Sequence, residues 1–551
     1  MKSLNPKPDP FFSLARKIEH MNMKNRHLVL LVLFPAIVLL SGFGPRIAKP
    51  TYARNAHPKT GLTAARDTAR ANKPYQADWE SLDGYPVPDW FDDAKFGIFL
   101  HWGGYSVLGY RKGGRGYAEH TPKMIYADPE HYYPVLEQRY GAHPPDFGYK
   151  DILERFTAEH WDPEAWAKLF AEAGAKYVVL TAEHHDGFAL WDSDLTRWCA
   201  TNVGPKRDLV GDLGKAVRAR GLKYAPSYHR ERHPGFFARD LYAIDSQPRS
   251  DIAREIERVP AAAELYGPFS YDDAFIADYV ARWKEIQAKY QPDFMWIDDI
   301  PIFYKVKENV QAAKFLDACK GMIADYLNDA ASKGRAVYLN NKGSHRNWPA
   351  DLGCLEKDNL QMERIGQKWE NPATLATSYG YMQSEEENDL YQSPEKLIHL
   401  LCDVVSKNGN LLLNLGPRAD GTIPEAMQQR LLAMGAWLQM NGEAIYGTRP
   451  WKVYGEGIVP LTRLRDEHRR HTINSSGIRY TASRNGKAVY ALLLERPETV
   501  TLKSFQGEHV TGIEVLGSGP AGWKRRGTHL IVSLPEKKPC DYAYVLKVNL
   551  R

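Results

Sequence analysis

Cysteine is scarce in this chain. There are five in 551 residues: Cys199, Cys319, Cys354, Cys402 and Cys540. They are odd in number, scattered and never in CxxC spacing, which argues against a disulfide framework and a thiolate zinc site. A surplus of one charge is lacking too. Lys and Arg number 72 against 67 Asp and Glu, for a net charge of +5. No long basic run interleaves with aromatics, so nucleic acid is not an expected partner. The stretch "GYRKGGRG" is glycine-rich but lacks the GxxxxGK[ST] order, which argues against a phosphate loop. "HRERH" at 229–233 lacks the glutamate placement of HExxH, and the "HHD" at 184–186 is not a facial-triad spacing. No metal and no cofactor are therefore expected.

The N-terminus is different in kind. Lys24 and Arg26 precede the apolar run "HLVLLVLFPAIVLLSGFG", which is short for a spanning helix and is interrupted by Pro35. Residues 1–43 read as a secretory signal peptide, with an uncleaved N-terminal anchor as the alternative. Phe43 stands where a lipoprotein would carry cysteine. Residues 44–80 are rich in Pro, Ala, Lys and Arg and read as a linker. The protein is thus expected to be exported, periplasmic or secreted. Any membrane attachment would run only through the N-terminal segment.

The chain as a whole is globular in composition, with 43% hydrophobic and 25% charged residues. Aromatics make up 12%, including 14 Trp and 31 Tyr. That content suits stacking on sugar rings, and equally a tyrosine-rich core. From residue 81 to about 455, short apolar runs alternate with helical patterns. "KFGIFLHWG", "KYVVLTAEHH", "LKYAPSYH", "DFMWIDD", "RAVYLNN" and "NLLLNLG" read as strands. "DPEAWAKLFAEAGA" reads as a helix capped by Asp162 with Pro163 in its first turn, and "LVGDLGKAVRARG" as one stopped by Gly221. Near-continuous apolar strands separated by helices predict a parallel sheet covered on both faces. Five strands end in polar residues: His101, His184-His185, His229, Asp298-Asp299 and Asn340-Asn341. A closed barrel gathers all strand C-termini at one mouth, so the fold class expected is an α/β protein with a (β/α)8 barrel. Residues 456–551 change to short β-patterned runs with the hairpin signal Arg484-Asn485-Gly486-Lys487, which predicts a C-terminal antiparallel β-sandwich.

The mouth carries the candidate chemistry. Strand alternation puts Trp296 and Asp298 on the face opposite Met295 and Ile297, so Asp298 points into the mouth. His101 precedes Gly103 and Gly104, which allow close backbone approach. His184 and His185 both reach the mouth only if the strand bends at its end. Histidines there suit hydrogen bonding to a polar ligand. Sugar hydrolysis needs two carboxyl groups. Asp298 supplies one, and Glu356, Glu363 and Glu370 are candidates for the other; spacing does not choose among them.

Taken together, "WFDDAKFGIFLHWGGYSV", "YVVLTAEHHDGFALWDS", "RDLVGDL", "PDFMWIDD", "KWENPATLATSYGYM" and "VSKNGNLLLNLGPRADGTIPE" resemble glycoside hydrolase family 29, the α-L-fucosidases, over roughly residues 85 to 455. The resemblance implies a metal-free retaining exo-glycosidase that removes terminal α-L-fucosyl residues from oligosaccharides or glycoconjugates. It makes Asp298 the nucleophile and Glu356 the acid/base. It makes His101, Glu119, His184, His185, Tyr228, Trp296 and Lys342 substrate-binding residues, with Trp369 and Glu370 structural. His120 stands where tryptophan is usual in the family, and Lys342 where arginine is common. Two other readings stay open on the same barrel: a non-catalytic fucose- or carbohydrate-binding protein, and a metal-dependent hydrolase using His101, His184, His185 and Asp298.

Overall fold

The computed structural model describes residues 73–82, 85–114, 117–240, 245–298, 310–342, 353–354, 368–457 and 476–551. The expected leader, most of the expected linker, Glu356 and Glu363 lie outside the described residues. Among the described residues, no helix is long and apolar enough to cross a membrane.

Eight strands close into a parallel barrel. They are β1 (Phe96–Leu100), β2 (Tyr177–Glu183), β3 (Lys223–Tyr228), β4 (Phe294–Ile297), β5 (Tyr338–Lys342), β6 (Gly353–Cys354), β7 (Trp369–Thr374) and β8 (Gly409–Leu415). β1 pairs with both β2 and β8, which completes the circle. β1, β2, β4, β7 and β8 are buried along their whole length, as strands covered inside and out must be. Outside pack five crossover helices, α1 (Pro163–Glu172), α2 (Leu209–Ala219), α3 (Asp273–Tyr290), α4 (Val310–Ser332) and α5 (Pro394–Ser406), and α6 (Glu425–Asn441), which follows β8. Asp162 caps α1 by accepting from the backbone N–H groups of Glu164 and Ala165. Gly221, at φ +72°, turns the chain out after α2.

β6 and β7 are not among the six strands that the sequence reading expects. β7 reads "WENPAT". Its Glu370 and Asn371 point into a buried interior rather than to solvent, and Pro372 interrupts the strand signature.

The barrel interior is layered. At the floor, Phe91 from the segment before β1 stacks on Tyr338 with centroids 3.9 Å apart, beside Phe294 and Tyr177. Gly97 makes room for Tyr177, because a Cβ there would lie 2.4 Å from the tyrosine ring. Above it sits a polar layer. Glu370 accepts from Tyr177 Oη (2.6 Å), Asn340 Nδ2 (2.7 Å) and Trp296 Nε1 (2.9 Å). Burial pushes the Glu370 carboxyl up to about 7 despite those three donors.

The C-terminal region is two antiparallel sheets around their own core of Trp451, Tyr480, Phe505, Leu530 and Leu546, among others. β9 (Arg449–Glu456) pairs with β10 (Ile478–Ala482), so this strand belongs to the sandwich and not to the barrel, as the expected boundary at 456 has it. Arg484 to Lys487 turn the chain from β10 into β11 (Ala488–Leu493). A fully buried ion pair helps tie the sandwich to the barrel: Arg479 Nε lies 2.6 Å from Asp403 Oδ1 on α5, and Lys407 Nζ lies 2.7 Å from Asp403 Oδ2.

Candidate active site

The C-terminal ends of β1 to β5 converge on one mouth. His101 follows β1, and its Nδ1 is 2.7 Å from Asn414 Oδ1 on β8. Asn414 Nδ2 donates to the Tyr379 carbonyl at 2.7 Å, so Oδ1 is the acceptor. The His101 proton therefore sits on Nδ1, and Nε2 is presented as an acceptor. The ring lies 4.7 Å from that of Tyr379, in the loop after β7.

β2 solves the problem of two adjacent histidines by a bulge. Its register against β3 shifts between Thr181 and Glu183, and the chain turns at Gly187 with φ +78°. Both rings then face the mouth, 4.3 Å apart. His185 Nδ1 donates to the His229 carbonyl (2.7 Å), and its Nε2 lies 3.4 Å from Asp298 Oδ2. His184 Nδ1 is buried without a hydrogen-bond partner among the described residues. His229, after β3, stacks on Trp296 at 5.5 Å, with Nδ1 3.3 Å from Asp298 Oδ2 and Nε2 2.7 Å from Ser227 Oγ.

Asp298 follows β4 and is 3% exposed. The Lys342 ammonium, at the end of β5, contacts its Oδ1 directly. Burial opposes the charge on Asp298, but Lys342 and then His229 outweigh it and hold the carboxyl well below the usual carboxylate range. The imidazoles go the other way. Burial, then the neighbouring rings, push His101 and His184 well below the ordinary imidazole range. Burial likewise wins over the attraction of Asp298 at His185 and His229. At neutral pH Asp298 is thus ionised and these four imidazoles are neutral.

The remaining expected residues sort as follows. Glu119 is buried at the same end of the barrel. Its Oε2 accepts from Gly380 N (2.9 Å) and Ser378 Oγ (3.2 Å). Trp296 lies under the mouth, 1% exposed, pinned by Glu370 and stacked beneath His229. Tyr228 is a correction. Its hydroxyl donates to the Tyr279 carbonyl on α3 (3.0 Å), and its ring packs on Tyr279 and Trp283. Strand alternation puts Ser227 and His229 on the inner face and sends Tyr228 outward. His229, Tyr379 and Asn414 are the mouth residues missing from the sequence-based set. His229 stands at a strand end like the others, and that signal suffices to find it.

Two groups have donor atoms within 4.8 Å of one another and could hold a cation: His101, His184 and His229, and also His185, Glu231 and Asp298. The same convergence of neutral imidazoles offers hydrogen bonds to several hydroxyls of one small molecule.

A barrel mouth that sets imidazoles able to bond hydroxyls around an ionised carboxylate is the arrangement expected of a barrel glycosidase. Comparison with known proteins narrows the class. The family described as alpha-L-fucosidase matches residues 62–443, and the alpha-L-fucosidase C-terminal domain matches residues 471–549. The tissue alpha-L-fucosidase of Bos taurus is 33% identical, over 86% of this chain and 91% of its own. That of Homo sapiens is also 33% identical, over 89% and 95%. The crystal structure of Thermotoga maritima alpha-fucosidase in complex with a mechanism-based inhibitor superposes with a TM-score of 0.67 at 30% identity, covering 86% of this chain and 100% of that one. The chain belongs to the alpha-L-fucosidase family, glycoside hydrolase family 29.

Proposed function

We propose that this barrel hydrolyses terminal α-L-fucosyl residues of fucosylated oligosaccharides or glycoconjugates by double displacement, with Asp298 as nucleophile and Glu356 as acid/base. The observation that supports it is the state of Asp298: a buried carboxylate kept ionised at a strand end, ringed by neutral imidazoles. In the first step an Asp298 oxygen bonds to the anomeric carbon. The glycosidic bond breaks, and the acid gives its proton to the leaving oxygen. In the second step the same group, now a base, takes a proton from water. The water oxygen bonds to the anomeric carbon, and the Asp298 ester bond breaks. Net retention follows, an outcome that retaining glycosidases reach with two carboxyl groups about 5–5.5 Å apart. His101, His184, His185 and His229 fix the sugar by its hydroxyls, and such positioning removes several kcal/mol from the barrier. Glu119 closes the same end of the pocket. Lys342 serves the nucleophile as counter-ion.

The deciding experiment follows the anomer of the sugar first released from a nitrophenyl α-L-fucoside. Release of the α-anomer, together with loss of turnover in Asp298→Ala, is expected. A β-anomer, or near-normal kinetics in the variant, overturns the assignment. In Glu356→Ala, rescue of turnover by added azide is expected, and absence of rescue moves the acid/base elsewhere. The His101, His184 and His229 grouping favours one other reading, a metal-assisted hydrolase. Activity that survives exhaustive chelation dismisses it. The N-terminal segment is read as an export leader, and N-terminal sequencing of the secreted protein tests that.

A further inference from the structure

The loops around the mouth carry a second feature. Lys123 sits on the short helix Thr121–Ala127 after β1, and Arg111 lies just ahead of it. Arg232 and Arg249 come from the excursion between β3 and α3. Lys123 Nζ lies over the Phe236 ring, 5.5 Å from its centroid. The same ring is 5.6 Å from His185 and 6.4 Å from His184. His120, one helical turn before Lys123, has its ring 6.2 Å from His184 and 6.1 Å from His185. The cations thus begin one side chain away from the paired histidines.

None of Arg111, Lys123 and Arg249 forms an ion pair with a described residue. Arg111 Nη1 donates to the Tyr117 carbonyl (3.0 Å), and Arg249 Nε is buried without a hydrogen-bond partner among the described residues. Basic neighbours away from the mouth are paired as surface charges usually are. Lys112 meets Asp128, Arg254 meets Asp251 and Arg258 meets Asp146. The nearby Glu119 turns its carboxylate to Ser378 and Gly380. Burial and then Arg111, Arg232 and Arg249 push Lys123 down to about 8. Like charges held together cost stability, and an arriving anion relieves that cost through charge-assisted hydrogen bonds.

We propose that the glycan taken by this mouth carries an anionic group, a sulfate ester or a carboxylate, seated on Lys123, Arg111 and Arg249 while the fucosyl ring sits on the histidines. The inference rests on the fucosidase reading and deepens it to a substrate class. The anion belongs either to the fucosyl ring itself or to the sugar next to it.

The test uses three forms of one fucosylated oligosaccharide: neutral, sulfated on the fucose, and sulfated or carboxylated on the neighbouring sugar. The ratio of kcat/KM, anionic over neutral, is expected to exceed about tenfold for one of the two anionic forms, which identifies the source. The ratio falls toward one in Lys123→Met and in Arg249→Gln, and is restored in Lys123→Arg. It also falls with added salt, as charge complementarity requires. A ratio of one or less for both anionic forms in the natural protein overturns the proposal, and so does a high ratio that the substitutions leave in place. Failure to release nitrophenol from any fucoside sinks the fucosidase reading instead. Calorimetric binding of sulfated against neutral glycan then still decides for or against the anion seat.

Discussion

Replacing Lys342 by Met keeps the length of the side chain and removes its charge. The ammonium contacts Asp298 Oδ1 directly, and its side chain is only 21% exposed. Two unit charges about 4 Å apart at an effective dielectric of about 20 attract by about 4 kcal/mol. Solvent reaching the lysine lowers this, and a carboxylate that loses such a partner commonly rises by about one to three pH units. The sign is fixed by linkage. The Asp298 carboxyl is depressed in the folded protein, so its ionised form persists to low pH and is lost only as pH falls through the folded value. Without Lys342 that loss begins at higher pH. The acid limb of the kcat/KM profile on nitrophenyl α-L-fucoside therefore moves up by about one unit or more. Lys342→Arg, which keeps the charge, leaves the limb near its original place. The folded state of both variants is checked by circular dichroism. An acid limb that stays put in folded Lys342→Met refutes the counter-ion role, and Lys342 then reverts to a substrate contact.

Asp298→Ala should lower kcat by about 10⁴-fold or more, with a melting curve that still shows one cooperative transition. His101→Ala and His185→Ala each remove a donor or acceptor to the sugar and should lower kcat/KM by about 10- to 100-fold, an effect of about 1.5–3 kcal/mol, read by steady-state kinetics. Tyr228→Phe removes the hydroxyl's bond to the Tyr279 carbonyl and should cost about 1 kcal/mol in denaturant unfolding while kcat/KM stays unchanged. A large kinetic defect in that variant would return Tyr228 to the site.

The parallel barrel was legible because six of its strands are apolar runs with helices between them, a pattern that only burial on both faces requires. β7 was illegible for the converse reason. Glu370 reads as a surface residue, and only the interior polar layer of Tyr177, Trp296 and Asn340 explains it. Asp298 could be placed by alternation, since Met295 and Ile297 leave one face free. The same rule, applied one strand earlier, separates His229 from Tyr228, and the family pattern there pointed at the wrong neighbour. The bend at His184 and His185 was demanded by their adjacency, but its form, a register shift against β3, lies in the pairing and not in the residues themselves. Tyr379 and Asn414 reach the mouth through tertiary hydrogen bonds that no local signal announces.

The link between Arg479 and Asp403 bears on how the two halves of this enzyme can be handled or inherited. A barrel severed from its C-terminal partner would expose a seam that has no water-facing solution, with a helix carboxylate stripped of its guanidinium. That helix leads into the strand bearing Asn414, which sets the proton on His101. Loosening the distant module would therefore blunt sugar recognition before it unravelled the catalytic half, and the pair is expected to be exchanged between genes as one piece.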